Sequence, residues 1–291
     1  MNTLMPMRAK VVSSKPMTQI ERLVRIKIAD NDASEAFRHR PGQFVELGLM
    51  RLGEAPISIC TADSGQRELE FCIRNVGRVT KAIHRLVKGD TIWIWGPYGN
   101  GFPMEEMEGR DIVFVAGGLG VAPIRSVLQH ILLGRSKYGK ITLLYGVRNY
   151  GLVLFKDEYL DLLRKGERKG VKLYLSYEDQ NDKDFAELAR ELPDRVTQGM
   201  VTKLFSIIEP PSKNSAAVLG GPPIMYRFVN RELAKFSLDP ARIYVTLERR
   251  MRCGLGQCGH CIVGSGTDVR YVCKDGPVFT IWDAMSMREL I

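Results

Sequence analysis

The stretch IVFVAGGLGVAP, residues 112–123, decides the fold of the second half of the chain. Its apolar run predicts a buried strand, its glycines predict a tight turn, and its proline is well tolerated in the first turn of a helix expected over residues 123–134. Backbone amides at such a turn favour a pyrophosphate, and glycine lets that ligand approach the main chain. The turn lacks a full G-x-G-x-x-G pattern, so nucleotide binding and simple close packing both remain open.

The rhythm of strand, helix and strand continues towards the carboxyl end and predicts a parallel sheet covered by helices. A second turn, GGPPIM at residues 220–225, follows another expected strand and precedes another expected helix. Two such turns at the carboxyl ends of strands in one sheet are where a dinucleotide is expected. The further expected strands are 141–147, 171–177, 216–219 and 242–247, and the further expected helices are 155–165 and 224–236.

The first third of the chain, from residue 8 to about residue 97, has short alternating or β-branched segments separated by turn residues. This pattern predicts an antiparallel barrel or sandwich. Ser58 and Thr80 offer hydroxyls, Arg74 offers a cation, and Gly77 offers free backbone before a possible helix at residues 80–86. These groups suit a second phosphate-bearing ligand, although barrel strands joined by a turn explain them equally well. The expected strands are 23–29, 43–49, 55–60, 68–74 and 91–95.

Four cysteines near the carboxyl end give the spacing C-x4-C-x2-C-x11-C. The first two intervals match the plant-type [2Fe-2S] pattern, in which a tight loop bends around the cluster. A four-thiolate zinc site usually shows two CxxC pairs, whereas only one is present here, so iron and sulfur are favoured over zinc and over plain buried thiols. His260 is then a neighbour of the ligand set or a surface residue, and Cys60 and Cys72 are expected to be buried inert thiols. The predicted metal ligands are Cys253, Cys258, Cys261 and Cys273.

Length and composition limit the remaining possibilities. The 291 residues allow two domains and a small module, which we expect at 1–108, 109–240 and 241–291. The net charge is 42 − 33 = +9, but basic residues are scattered and the densest cluster is only Arg249, Arg250 and Arg252, so a nucleic-acid partner is disfavoured. No apolar stretch reaches the length of about 20 residues that a membrane span needs, and the sequence start does not resemble a signal peptide. We therefore expect a cytoplasmic protein.

With these motifs in hand, the chain resembles the ferredoxin-NADP reductase superfamily over nearly its whole length. The resemblance implies an antiparallel FAD-binding barrel, a parallel-sheet NAD(P)-binding α/β domain and a small C-terminal [2Fe-2S] module. The segments GEAPISI, LERRMRCGLGQCGHC and YVCKDGPVF are similar to those of the electron-transfer subunits of dihydroorotate dehydrogenase, of anaerobic sulfite reductase and of nickel-iron sulfhydrogenase, where it is the gamma subunit. The similarity is greatest to the hydrogenase and sulfite reductase branch.

The same resemblance assigns binding residues. The APIS segment would hold the isoalloxazine, the residues around Arg74 and Thr80 the FAD phosphates, and the two glycine turns the nicotinamide dinucleotide. Two positions depart from the family pattern, because Ala55 stands where arginine is frequent and Gly220 where many members have cysteine. The expected cofactor-binding residues are Ala55, Pro56, Ile57, Ser58, Ile73, Arg74, Asn75, Gly77, Val79, Thr80, Gly117, Gly118, Gly120, Ala122, Pro123, Gly221, Pro222, Pro223 and Met225.

The predicted function is that of a flavin and iron-sulfur subunit that passes electrons between NAD(P)H and a partner catalytic subunit, first of all that of a nickel-iron hydrogenase or sulfhydrogenase. Hydride transfer to a flavin needs alignment and exclusion of water rather than an acid and base pair, so no catalytic side chain is predicted. The alternatives are a subunit of anaerobic sulfite reductase or dihydroorotate dehydrogenase, and a self-sufficient NAD(P)H:ferredoxin reductase. A zinc-stabilised binding protein without enzymatic activity is the alternative of a different class.

Overall fold

The computed structural model describes residues 5–65, 67–265 and 267–287. The chain divides into two compact units. The first comprises Met1–Phe102, Arg125–Leu133 and Leu247–Val278, and the second comprises Pro103–Ile124, Gly134–Thr246 and Phe279–Ile291. The division into three domains expected from the sequence therefore stays a prediction.

An antiparallel six-stranded sheet forms the first unit, in the order β4-β3-β6-β1-β2-β5. The edge strands β4 and β5 contact each other, so the sheet curves into the predicted barrel. Its core is apolar: Val24, Ile26, Val45, Leu47 and Phe71 have no exposed surface. The strands are β1 (Met7–Pro16), β2 (Glu21–Ile28), β3 (Phe44–Leu49), β4 (Gly53–Ser58), β5 (Glu68–Arg74) and β6 (Thr91–Tyr98).

A second sheet belongs to the α/β part of the chain, and its strand pairs from β10 to β12 are all parallel. It contains β7 (Ile112–Gly117), β8 (Ile141–Val147), β9 (Val171–Tyr177), β10 (Val196–Gln198), β11 (Ala216–Gly220) and β12 (Ile243–Thr246). The cysteine-rich segment then forms a hairpin of β13 (Ile262–Ser265) and β14 (Asp268–Tyr271), and β15 (Val278–Thr280) returns to the second sheet. The resulting strand order is β10-β9-β8-β7-β11-β12-β15.

The central strands of this sheet are apolar throughout because helices cover a parallel sheet on both faces. Phe114 and Val115 on β7 and Leu143 and Leu144 on β8 are fully buried. The helices are α1 (Asn31–Ala36), α2 (Arg78–Ile83), α3 (Met104–Met107), α4 (Val121–Leu133), α5 (Lys156–Lys165), α6 (Lys183–Glu191), α7 (Pro223–Lys235), α8 (Val272–Asp275) and α9 (Ile281–Ser286).

Two helices begin earlier than the sequence predicts. The helix expected from residue 123 begins at Val121, directly after a 3-10 turn at Gly118–Gly120, so the proline lies at its third position. The helix expected from residue 80 begins at Arg78. The fold class itself, an antiparallel barrel with a parallel-sheet α/β part and a small cysteine module, is confirmed.

Candidate functional site

Strand β4 carries the APIS segment and lies at an edge of the barrel sheet, where it is hydrogen-bonded to β3 alone. Its residues Ala55 to Ser58 are half-buried, in contrast to the buried β3 beside it. An edge strand has main-chain donors and acceptors that are free to pair with another molecule. A strand that is both unpaired and partly uncovered fits the flat ring system that the sequence assigns to it.

The turn between β5 and α2 uses two predicted phosphate ligands for its own structure. The Thr80 hydroxyl oxygen accepts hydrogen bonds from the backbone N–H groups of Val76, at 3.1 Å, and Gly77, at 3.0 Å. The Arg74 guanidinium donates to the Glu21 carboxylate at 2.6 Å, and the Glu21 side chain is only 2% exposed. Thr80 therefore shapes the turn, and the charge of Arg74 is already balanced by a buried carboxylate.

Three other predicted binding residues are buried. The Ile73 side chain lies in the barrel core, and Ala122 and Pro123 lie inside the first turn of α4. Asn75 and Gly77 are exposed, and Val79 is half-buried. No side-chain contact with a ligand is available at the three buried positions, so their predicted role is limited to shaping the main chain.

The two glycine turns of the second unit meet at their backbones. A Cβ on Gly120 would lie 2.1 Å from the carbonyl carbon of Gly220, which explains why no side chain stands at either place. Gly118 has φ +52°, and a Cβ there would meet nothing within 4 Å. The first turn thus combines a left-handed backbone with open space beside it, a cradle into which a phosphate group fits.

Met225 and Tyr226 hold the second turn in place. The Met225 thioether packs on both turns, since its Sδ would lie 2.8 Å from a Cβ on Gly117 and its Cε 2.6 Å from a Cβ on Gly221. The buried Tyr226 hydroxyl accepts from the Gly221 N–H at 3.0 Å and donates to the Thr246 carbonyl at 2.6 Å. Tyr226 is a fixing residue that the sequence did not reveal, because nothing in its local pattern distinguishes it from a core tyrosine.

The four cysteines group in two pairs. The Cys261 and Cys273 sulfurs are 3.2 Å apart and buried, and the Cys258 thiol is hydrogen-bonded to Cys253 nearer the surface. Within the described residues, no three metal-ligating side chains converge on one point. A single zinc ion needs four ligands around one centre, whereas a [2Fe-2S] cluster takes two thiolates at each of two irons. The paired arrangement fits the cluster.

The cysteine loop favours thiolate at its first ligand. Burial opposes ionisation of Cys253, but hydrogen bonds from the backbone N–H groups of Leu255, Cys258 and Gln257 lower the pKa of Cys253 to about 6. Burial, together with its hydrogen bond to Cys261, raises the pKa of Cys273 to about 12. Since the thiolate is the form that binds metal, Cys253 is the ligand that the protein alone prepares for iron.

Glu46 is a further unusual residue that the sequence did not reveal. It lies on β3 opposite Pro56 of the flavin strand, is 3% exposed, and neither carboxyl oxygen has a hydrogen-bond partner. Burial and the nearby charges of Glu54 and Cys253 raise the pKa of Glu46 to about 8. The cysteine loop lies over the same face of the barrel, because the Gly254 backbone packs against the Tyr98 ring.

The remaining cysteine and histidine predictions agree with the structure. Cys60 and Cys72 are buried in the barrel, and His260 is exposed. Arg250 and Arg252, which flank the first ligand, are exposed as well. A basic surface therefore adjoins the cluster loop.

Comparison with protein families supports the interpretation of both cofactor regions. Residues 248–284 match the iron-sulfur cluster binding domain of dihydroorotate dehydrogenase B, and residues 114–231 match the oxidoreductase NAD-binding domain. The first match contains all four predicted cluster ligands, and the second contains both glycine turns. Fold and site together define a nicotinamide-dependent oxidoreductase with an iron-sulfur module.

Curated relatives narrow this class. Sulfhydrogenase 2 subunit gamma of Pyrococcus furiosus is 48% identical over 100% of both chains, and sulfhydrogenase 1 subunit gamma of the same organism is 40% identical over 98% of this chain and 94% of its own. A probable dihydroorotate dehydrogenase B electron transfer subunit of Methanothermobacter thermautotrophicus is 33% identical over 86% of this chain and 81% of its own. The chain belongs to the family of sulfhydrogenase gamma subunits and dihydroorotate dehydrogenase B electron transfer subunits.

Solved structures agree on the fold. An NADH-dependent reduced ferredoxin-NADP oxidoreductase matches with a TM-score of 0.69 at 23% identity, over 94% of this chain and 88% of that chain. A ferredoxin NADP+ reductase from Neisseria gonorrhoeae, solved with bound FAD and NADP, matches with a TM-score of 0.60 at 18% identity, over 82% and 97%. The predicted reductase fold is thus confirmed. Among the helices that the structure describes, none is long and apolar enough to cross a membrane.

Proposed function

We propose that this chain is the subunit that passes electrons between NAD(P)H and the catalytic subunit of a nickel-iron sulfhydrogenase. The observation that carries the proposal is the 48% identity to a sulfhydrogenase gamma subunit over the full length of both chains. The presence in one chain of an uncovered flavin strand, two glycine turns and a four-cysteine loop supports it. The proposed ligands are the residues assigned from the sequence, arranged in three domains at 1–108, 109–240 and 241–291.

Bound FAD supplies exchange of a hydride with a nicotinamide and of single electrons with an iron-sulfur cluster. The chain's own residues contribute position. Gly118 leaves room for a pyrophosphate, the Gly120 and Gly220 contact sets the spacing of the two turns, and Met225 packs over both. On the barrel, Pro56 and Ser58 offer a half-buried surface for a ring system. Alignment of this kind is the main protein contribution to hydride transfer.

The cysteine module provides the exit. Cys258 is exposed, whereas Cys261 and Cys273 are buried, so one side of the cluster loop faces outward. Arg250 and Arg252 on the same loop can orient an acidic partner. A cytoplasmic location is part of the proposal, and it is supported by the six free cysteines, which suit a reducing compartment.

A visible spectrum and a purification test this function. The protein is expected to be yellow-brown, with flavin bands and broad sulfide-to-iron absorption, and a colourless zinc-loaded protein would remove the whole proposal. A tagged chain purified from its native source is expected to carry the hydrogenase subunits in fixed stoichiometry.

The second candidate is an electron transfer subunit of dihydroorotate dehydrogenase. The 33% identical relative and the match of residues 248–284 favour it. Co-purification of a dihydroorotate-oxidising subunit would establish it in place of the hydrogenase, and a sulfite reductase subunit would establish the third alternative. A chain that purifies alone and reduces ferredoxin would instead be a self-sufficient reductase.

A further inference from the structure

The flavin seam lacks a cation at the position where the resembling family often has arginine, since Ala55 stands there. We propose that Arg78 supplies this missing cation and binds the pyrophosphate of FAD. The inference rests on the proposed function in one respect, namely that the barrel binds FAD. It assigns a role to a residue outside the set of ligands expected from the sequence.

The geometry brings Arg78 across the seam to the flavin strand. Arg78 is the first residue of α2, and its Nη2 donates to the Leu52 carbonyl at 3.1 Å. Leu52 directly precedes β4, and Val79, the next residue of α2, lies 3.7 Å from the Cβ position of Gly53. The guanidinium is therefore fixed beside the start of the strand that contains Ala55, although it belongs to a different element.

Charge distinguishes Arg78 from the other arginine of the seam. Arg74 pairs at 2.6 Å with the buried carboxylate of Glu21, so that pair contributes no net charge. In the part of the chain that the structure describes, no carboxylate lies within ion-pair distance of Arg78, and its bond to Leu52 is to a neutral carbonyl. A guanidinium has five N–H donors, of which this bond uses one. The charge and the remaining donors are available to an anion.

The surface around Arg78 is open. Val76 is 77% exposed, and a Cβ on Gly77 would meet nothing within 4 Å. An exposed apolar residue beside an open glycine and a fixed cation is a surface that a ligand can cover. A pyrophosphate suits it because the planar fork of arginine binds two phosphate oxygens at once.

Equilibrium binding to the full chain, with its cluster intact and its flavin removed by dialysis, tests the proposal. FAD and riboflavin are the two probes, because riboflavin has the same ring system and no phosphate. Arg78→Gln is the main variant, since the glutamine amide can still donate to the Leu52 carbonyl while the charge is lost. We expect the Kd of FAD to rise about ten-fold or more, as a charge-assisted hydrogen bond predicts, and the Kd of riboflavin to stay unchanged.

Two controls make the result specific. Lys81→Ala removes an exposed positive charge from the same helix and should leave both constants unchanged. Arg78→Lys retains the charge without the fork and should fall between wild type and Arg78→Gln. The proposal is overturned if Arg78→Gln weakens FAD and riboflavin equally, which indicates a structural role, or if Lys81→Ala costs as much as Arg78→Gln. A wild-type chain that binds neither probe would instead refute the proposed function.

Discussion

Gly120 and Gly220 bring the two glycine turns of the second unit into direct backbone contact. A Cβ on Gly220 would lie 2.3 Å from the Gly120 carbonyl oxygen, and the reverse substitution would be closer still. Because the opposing atoms are main chain on both sides, no side chain can rotate away to make room. The cysteine that many members of the resembling superfamily have at this position cannot be accommodated here without moving one of the turns.

The first prediction compares two glycines of the same turn. Gly120→Ala should lower the free energy of unfolding by about 3 kcal/mol or more, because it forces overpacking against backbone. Gly118→Ala should cost only about 1 kcal/mol, since its Cβ meets open space and the penalty is the left-handed φ alone. Thermal unfolding followed by circular dichroism measures both values. Equal losses at the two positions would show that the contact is looser than the structure indicates.

The second prediction separates nucleotide binding from stability. Gly118→Val places a branched side chain in the open space beside the first turn and should slow flavin reduction by NAD(P)H at least ten-fold, with the cluster spectrum unchanged. The reason is that the pyrophosphate must approach the main chain at this turn. Stopped-flow absorbance of the flavin measures the rate. A Gly118→Val variant with the wild-type rate would move the phosphate site elsewhere.

The third prediction concerns the order of electron transfer. Cys258→Ser should remove or alter the cluster, because a hydroxyl is a poorer iron ligand than a thiolate. Flavin reduction by NAD(P)H should continue at nearly the wild-type rate, while reduction of the partner subunit should stop. Cys72→Ala, a buried cysteine outside the loop, is the matched control and should keep its cluster. Loss of flavin reduction in Cys258→Ser with FAD still bound would contradict the proposed order.

The fourth prediction concerns the basic surface beside the cluster. Neutralising Arg249, Arg250 and Arg252 should slow electron delivery to the partner more at low salt than at high salt, because screening weakens long-range attraction. The rate measured at two ionic strengths decides the matter. An equal effect at both would indicate a structural or redox-tuning role for these arginines.

The sequence predicted those elements whose pattern reflects their own burial. Strand β5 has the predicted bounds, and α7 and β11 differ from prediction by a residue at most. The pattern of β1 is less clear, since its register shifts between Val11 and Ser13 and the alternation is interrupted. Helix α6 was missed although Asp182 caps it by accepting from the Phe185 N–H, a signal that the sequence does contain.

Functional residues were predictable where a motif encodes them and not where tertiary contact creates them. Alternation along β3 correctly places Val45 and Leu47 in the core and Glu46 on the outer face. What covers that outer face, the cysteine loop some 200 residues away in sequence, has no local signature. The same applies to Arg78, whose significance comes from Leu52 and from the pairing of Arg74 with Glu21.

Burial of Glu46 leads to the fifth prediction. Its pKa is about 8 in the folded chain against a usual value of 4.5, so the folded state holds a proton that the unfolded state has lost. The stability associated with this proton is complete below pH 4.5 and disappears as pH rises to about 8, by about 3 kcal/mol between pH 6 and pH 9. Glu46→Gln should therefore raise the unfolding midpoint of the holoprotein more at pH 9 than at pH 6. Glu209→Gln is the control of opposite sign: Lys172 and Lys140 lower the pKa of Glu209 to about 2, so its stabilisation is lost only in acid and the two midpoints should shift equally. A Glu46→Gln shift that is the same at both pH values would mean that the Glu46 carboxyl has found a partner and is ionised throughout.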